Sequence, residues 1–374
     1  MQLFTDFWNY GAVFLIVLTV VVFVHEFGHF IIALWAGVKI EVFSIGFGPE
    51  LFGFTTKSGT RWKFSLFMLG GYVKMLGENG MSDLTIPTPE EKAHSFFYKK
   101  VYQRAAIVVA GPLSNLVFGI VVLTGLLMSY GGHHVTPAIG HVQENSAAHH
   151  AGLLDGDIVH EANGEKINDF QDLQSIVRLN VGEPLLLVIE RSGMIQKIIA
   201  HPTITETKDI FGNLQKVPML GIIADSNNIE IIHYNPMQAV LVATKETYKM
   251  ISSTLVVIGQ MLTGQRESNE LGGPLRIAKG IGQAAKHGVM STIHYMILLS
   301  INLGLINLFP IPLLDGGHLL FYGVESLLGK PLGSTIQKYG FCIGMTMLVG
   351  LMLLAMRNDL IELRVWEFIK NLIF

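Results

Sequence analysis

Residues 20–35 read VVVFVHEFGHFIIALW, an apolar helical run interrupted by two histidines and a glutamate. Hydrocarbon penalises ionisable groups, so His25, Glu26 and His29 need partners that offset their burial. The i, i+4 spacing of His25 and His29 puts both imidazoles on one helix face, within reach of a single metal ion. Imidazole suits Zn2+ at about 2.0–2.1 Å, and catalytic zinc sites use three protein ligands and keep one position open. Glu26 directly follows the first histidine, where its carboxylate can take a proton from an attacking water and hand it to the departing amine. The same pattern arises by chance in soluble helices. Inside an apolar span the cost of three ionisable side chains favours metal-dependent hydrolysis over a satisfied histidine pair.

The rest of the chain fits that setting. Half of its 374 residues are hydrophobic and only 15% are charged, with a mean hydropathy of +0.45, a balance that belongs to an integral membrane protein. A net charge of -3 gives no sign of a nucleic-acid partner. Cys342 is the one cysteine, which excludes an internal disulfide and suggests a buried small hydrophobe. Residues 7–35, 105–130, 289–313 and 339–356 are each apolar enough to cross a bilayer, which takes about 20 helical residues. Asp6 and the lack of a basic flank make the first run a retained span, not a signal peptide. The segment from Lys39 to Arg104 is rich in Lys and Arg, so it is expected on the cytoplasmic side, with residues 131–288 outside. The tail LIELRVWEFIKNLIF, from Leu360, reads as an amphipathic interfacial helix.

Two histidines need a third ligand, and Asp315 in NLFPIPLLDGGH is the best candidate: a carboxylate closing an apolar span calls for a counter-charge. Pro310 and Pro312 prevent regular helix and re-aim Asp315, and Gly316 and Gly317 allow a tight turn. His318 is the rival ligand, better read as an interfacial or supporting histidine. Asn307 is placed to bind a substrate's backbone or stabilise an oxyanion, with an interhelical hydrogen bond as the alternative. Asn302 has a weaker claim to the same role, and Asn115 is expected in an interhelical bond. His133, His134, His149 and His150 form adjacent pairs that share no helix face and read as surface residues.

Between the first two spans, VFSIGFGPELFGF and TRWKFSLFMLGGYVKML flank the turn KSGT and read as a β-hairpin. Its side chains are too apolar for an aqueous loop, so a hairpin dipping into the membrane beside HEFGH is expected, against the alternative of a soluble hairpin on its own core. From about residue 135 to 225, short β-branched runs alternate with glycine turns and the helical stretch FQDLQSIVRL, the pattern of a small α+β module. Residues 236–262 turn helical, as a surface-bound or groove-packed helix.

HEFGH, GPLSN and NLFPIPLLDGGH together resemble the site-2 proteases, intramembrane zinc metalloproteases. IGFGPEL, LGGYVKMLGE, RAAIVVAGP and ELGGPLRIAKGIG resemble stretches of the bacterial regulator-of-sigma-E protease group within that family. The resemblance implies one catalytic Zn2+ on His25, His29 and Asp315, with Glu26 as the catalytic residue and Asn307 in contact with substrate. It also implies a hairpin at about residues 40–76, including Gly46, Gly48, Gly70 and Gly71, that pairs with an unwound substrate by strand addition. NSAAHHAGLLDGDIVHEANGEKINDFQDLQ resembles a PDZ domain, and only one such module fits, where the best-known members carry two. In the family that module is thought to exclude substrates whose external domain is still bulky.

The expected fold is a polytopic α-helical membrane protein with about four transmembrane helices, a membrane-associated β-hairpin and an inserted α+β PDZ domain. Its expected divisions are residues 1–38, 39–104, 105–131, 132–228 (periplasmic PDZ), 229–288, 289–318 and 319–374. The expected function is endoproteolysis of single-span membrane proteins in the bacterial inner membrane, the active site facing the cytoplasmic side. By resemblance the substrates are a pre-trimmed anti-sigma factor and signal-peptide remnants, with the lipid bilayer as the other partner. A non-catalytic membrane PDZ scaffold is the alternative, and a zinc transporter is disfavoured by the scarcity of charges to line a path.

Overall fold

The computed structural model describes residues 2–78, 88–208, 214–225, 229–267 and 271–362. The interfacial helix expected in the tail falls outside these from residue 363 onward. The chain divides into two compact units, Met1–Leu123 with Gly272–Phe374, and Thr124–Leu271.

The first unit opens with α1 (Gln2–Trp35), a single helix because nothing in its sequence breaks the i to i-4 ladder. Strands β1 (Ile40–Thr55) and β2 (Arg61–Met75) follow. They form more than a simple hairpin. Residues 42–45 lie beside both 71–74 and 61–64, and residues 52–55 pair back onto 61–64, so the ribbon curls on itself. Gly46 and Gly48 make this possible, with φ of +91° and +86° that side-chain-bearing residues rarely adopt. The inner part buries Ile40, Phe43, Ile45, Val73 and Met75 in a cluster that also takes in Phe23, Phe27 and Phe30 of α1. The outer part leaves Phe47, Leu51, Phe52, Leu66 and Phe67 exposed, so the ribbon has no core of its own there. A short helix α2 (Pro89–His94) and then α3 (Val101–Tyr130) complete this stretch.

The second unit is built around a four-stranded antiparallel sheet, in the order β6 (Glu165–Lys166), β5 (Ile158–Ala162), β7 (Leu185–Arg191) and β8 (Met194–Ala200). Alternate residues Leu185, Leu187 and Ile189 are fully buried, as the period of two in a half-buried strand requires. They meet Leu153, Val159 and Leu173 in one aliphatic core. Helices α4 (Ala147–Ala151) and α5 (Phe170–Leu179) belong to this unit, the latter started by an Asp169–Asp172 capping box. Shorter pairs join β3 (Gly132–Val135) to β12 (Ile229–Ile232), β4 (Ile139–Val142) to β11 (Ile222–Ala224), and β9 (Thr203–Lys208) to β10 (Leu214–Met219). Helix α6 (Pro236–Leu262) closes the unit, tied to α5 by Lys249 and Asp172 at 2.7 Å.

The chain then returns to the first unit as α7 (Pro274–Lys286), α8 (Val289–Asn307), α9 (Asp315–Leu328) and α10 (Ser334–Glu362). Asp359 of α10 is fully buried and accepts hydrogen bonds from the amides of Gly273, Leu275 and Arg276, capping α7 from another helix. Four helices, within α1, α3, α8 and α10, are long and apolar enough to cross a membrane. Cys342 departs from expectation, for it is exposed on α10. A helix apolar all round gives no sequence signal for which face is packed, so hydropathy alone misplaces such a residue.

Candidate metal centre

On α1, His25 and His29 stand one turn apart with their Nε2 atoms 3.3 Å from each other. Both are buried because α3 approaches α1 closely. A Cβ on Gly28 would strike Ala110 and Ser114, and a Cβ on Gly111 would strike the His29 ring. The Ser114 hydroxyl donates to Val24 O and Gly111 O, both at 2.7 Å, stitching the two helices together. Across this contact His29 Nδ1 lies 2.9 Å from Ile107 O. A carbonyl can only accept, so Nδ1 carries the proton and Nε2 presents its lone pair.

Asp315 comes from a break in helix. Pro310 and Pro312 sit in residues 308–314, which separate α8 from α9, and Leu313 takes φ +94°. A bulky residue persists there only when its surroundings hold it. Gly316 and Gly317 do not form the expected tight turn; they lie inside the first turn of α9. A Cβ on Gly316 would meet the carbonyls of Leu308 and Phe309, and one on Gly317 that of Ile311. The glycines let α9 nest against its own preceding loop, because backbone there leaves no room for a side chain. Asp315 Oδ2 then lies 3.2 Å from His25 Nε2 and 3.6 Å from His29 Nε2.

These three donors lie within 4.8 Å of one another, the one such group of His, Cys, Asp and Glu among the described residues. A tetrahedron with arms of 2.0–2.2 Å has edges of about 3.3–3.6 Å. The observed separations of 3.3, 3.2 and 3.6 Å match those edges. Two imidazoles and one carboxylate are also a donor set that zinc accepts with a fourth position left open. The residues fit the ion.

A cavity of about 610 Å³ opens on the centre, lined by His25, Glu26, His29, Asp315, Tyr72 and His318 among others. Glu26 faces it, with Val73 of β2 on the same cavity wall. Gly71 permits this approach, since a Cβ there would lie 3.2 Å from Glu26 Cγ and 2.8 Å from Ser44 O. Gly70 likewise leaves room for the Phe47 ring. His318 stands off from the three donors, packed against Phe341 and Tyr322. Asn307 ends α8 and is not among the cavity-lining residues; nor are Pro310 and Pro312. Asn115 is fully buried, and both polar atoms of its amide are without a hydrogen-bond partner, while Ser300 Oγ donates to its carbonyl. Away from the centre, His134 Nδ1 lies 3.1 Å from Asp169.

Sequence reasoning missed several supports. The carbonyl of Ile107 carries no residue-type signal at all. Arg104 read as one more loop charge, yet its side chain is only 11% exposed and pairs with Glu325 at 2.6 Å. The Gly-Pro step at Gly111 is the one mark in the sequence of α3's close approach.

Two imidazoles and a carboxylate converging beside a second carboxylate are the side chains of a metal-dependent hydrolase. Peptidase family M50 matches residues 13–351, and the chain belongs to that family. The chain is 42% identical over 366 residues to "Putative zinc metalloprotease Atu1380" of Agrobacterium fabrum, covering 95% of this chain and 96% of that one. It is 33% identical over 450 residues to "Regulator of sigma-E protease RseP" of Salmonella typhimurium, covering 94% and 98%. Among solved structures, the PDZ domain of the SdrC-like protein of Listeria innocua covers 26% of this chain and 99% of its own. At 17% identity and a TM-score of 0.21, that likeness is too weak to assign the module's fold. The protein is a zinc metalloprotease.

Proposed function

We propose that this protein is an intramembrane endopeptidase of the inner membrane that cuts single-span membrane proteins within or near the bilayer. The observation that carries the reading is the meeting of His25 and His29, on a helix apolar enough to span, with Asp315 of α9, and Glu26 beside them in an open cavity. His25, His29 and Asp315 would hold one Zn2+. Bound there, zinc supplies a Lewis acid that polarises a carbonyl and makes water more acidic. Glu26 takes the proton of the attacking water on a carboxylate oxygen and delivers it to the nitrogen of the departing amine. Ile107 O keeps the His29 ring in its tautomer.

A helical substrate hides its peptide bonds and must be unwound first. Residues 71–74 pair with 42–45, and this same segment borders the cavity, so the hairpin is suited to hold an extended chain by strand addition. Gly46, Gly48, Gly70 and Gly71 serve that role by shaping the ribbon. Its exposed Phe47, Leu51, Phe52 and Phe67 suit contact with lipid. Asn307 is assigned to the substrate's peptide group on the family resemblance. By that resemblance the substrates are a pre-trimmed anti-sigma factor, in regulated intramembrane proteolysis under stress, and signal-peptide remnants. The charge of residues 39–104 supports a cytoplasmic-side active site with the inserted unit in the periplasm. The 450-residue alignment is longer than this chain, so the Salmonella relative carries sequence that this one lacks, in keeping with a single PDZ module here. That module excludes substrates whose outer domain remains, and deleting residues 133–225 is expected to release cleavage of full-length substrates.

The test compares purified wild-type protein with Glu26→Gln on a model single-span substrate. Cleavage is expected to fall by about 10²–10⁴-fold in the variant, with zinc retained in both. Equal cleavage by both, or no zinc in either, overturns the reading in favour of a membrane scaffold.

A further inference from the structure

The charged pair between α3 and α9 lines the same cavity as Glu26 and the metal ligands, and is as buried as those ligands. The side chains of Arg104 and Glu325 are 11% and 10% exposed, and Nη2 donates to Oε1 at 2.6 Å. Such a pair is poor evidence for stability, because well-packed hydrophobic residues would serve as well once both charges are desolvated. Its geometry is what sets it apart. The Arg104 guanidinium also lies over the Tyr322 ring, 4.8 Å from its centroid, and its Nε donates to Lys99 O at 3.2 Å. One planar group thus grips two α9 residues a turn apart while being anchored to its own backbone.

Both ends of that grip lead to the metal centre. Asp315 is the first residue of α9, where Leu314 offers no side-chain cap. Ile107, one turn beyond Arg104 on α3, accepts the hydrogen bond that fixes His29. We propose that Arg104 and Glu325 form a positioning pair for the metal centre, locking the roll of α9 against α3 so that Asp315 and His29 keep their separation. The loop 308–314 sets where α9 begins; the pair sets which way its face turns. A helix side chain reaches about 5–6 Å from the axis, so a roll of about 10° moves Asp315 by about 1 Å. Ligand distances tolerate only about 0.2 Å.

The proposal rests on His25, His29 and Asp315 being the zinc ligands, and its test separates the two ideas. Zinc affinity of the full-length protein is measured by competition with a chelator, and the ligand field by the absorption spectrum of the Co2+-loaded form. Asp315→Asn serves as the ligand control. Arg104→Met and Glu325→Gln are each expected to weaken zinc by about 10–100-fold, the range for groups that orient ligands, and to alter the Co2+ spectrum. If Asp315→Asn loses zinc while both single variants hold it as wild type does, the pair has no positioning role. A positioning role is equally overturned if the folded fraction of each single variant, judged by cooperative unfolding, binds zinc normally. If wild-type protein and Asp315→Asn bind zinc equally, the ligand reading itself falls, and the proposal with it.

Discussion

Each unit of the molecule contains an arginine paired with a buried carboxylate, and the two pairs do different work. In the inserted unit, Arg191 reaches both oxygens of Asp157 at 2.7 Å and the carbonyl of Gly152 at 2.8 Å, while the Leu154 amide donates to Asp157 at 2.9 Å. The partners are 34 residues apart and close the glycine turn 152–157 onto β7. They sit at the margin of a continuous aliphatic core that already specifies the fold. In the helical unit, Arg104 and Glu325 are 221 residues apart and join two long-separated helices. There the interior is polar as well as apolar: His25, His29, Asn115, Ser300 and Asp359 are all buried. That contrast is the one expected of the proposed setting, with the helical unit in lipid and the inserted unit in water. In water, burying apolar side chains chooses the core. In lipid, an apolar side chain gains little by turning inward, so close glycine contacts and polar ties choose which helix faces meet.

The largest test of that contrast is Asp315→Asn. Zinc content is expected to fall by more than about 100-fold and proteolysis to disappear, while hydrogen exchange of the β5 and β7 amides stays as in wild type. Protection lost in both units would break the comparison. Leu187→Ala is its mirror image. This fully buried strand residue is expected to cost about 2–5 kcal/mol, read as faster exchange across β5, β7 and β8 with zinc content unchanged. Gly111→Ala asks whether backbone proximity positions a ligand. A methyl group there strikes the His29 ring, so a loss of about 1–3 kcal/mol and quicker zinc release to a chelator are expected. Gly323→Ala on α9, where a Cβ meets open space, is expected to show neither.

The smallest effect concerns pH in the inserted unit. Burial alone would raise the Asp172 carboxyl, but the Lys249 ammonium and the amides of Asn168 and Asp169 hold it below the usual range. A depressed carboxylate stabilises the fold above its unfolded pKa of about 3.9, and that contribution is lost as pH falls through the folded value. Protection of α6 is therefore expected to decline below about pH 4, by less than about 1 kcal/mol because Lys249 is partly exposed. Lys249→Met should remove most of that pH dependence; an unchanged profile would show that the pair does not hold α6.

Much of the architecture was legible in residue order. Short β-branched runs between glycine turns marked the strands of the inserted module, and long apolar runs marked the four candidate spans. The hairpin was visible from β-prone runs around KSGT, but its curl was not, because pairing of 42–45 with two different segments depends on contacts that no local pattern encodes. Cys342 failed for the reason already seen in α10: a helix apolar all round carries no inside and outside.

For the metal centre, the sequence by itself nominated the donors that the proposed function uses. Ionisable groups in hydrocarbon are too costly to be idle, and helical periodicity put His25 and His29 on one face. Tertiary structure alone decided that Asp315 reaches them, that Ile107 O sets the His29 proton, and that Arg104 is no loop charge. Those outcomes rest on backbone carbonyls, and on helices brought together from distant parts of the chain. Every residue has the same backbone groups, so no residue name announces them.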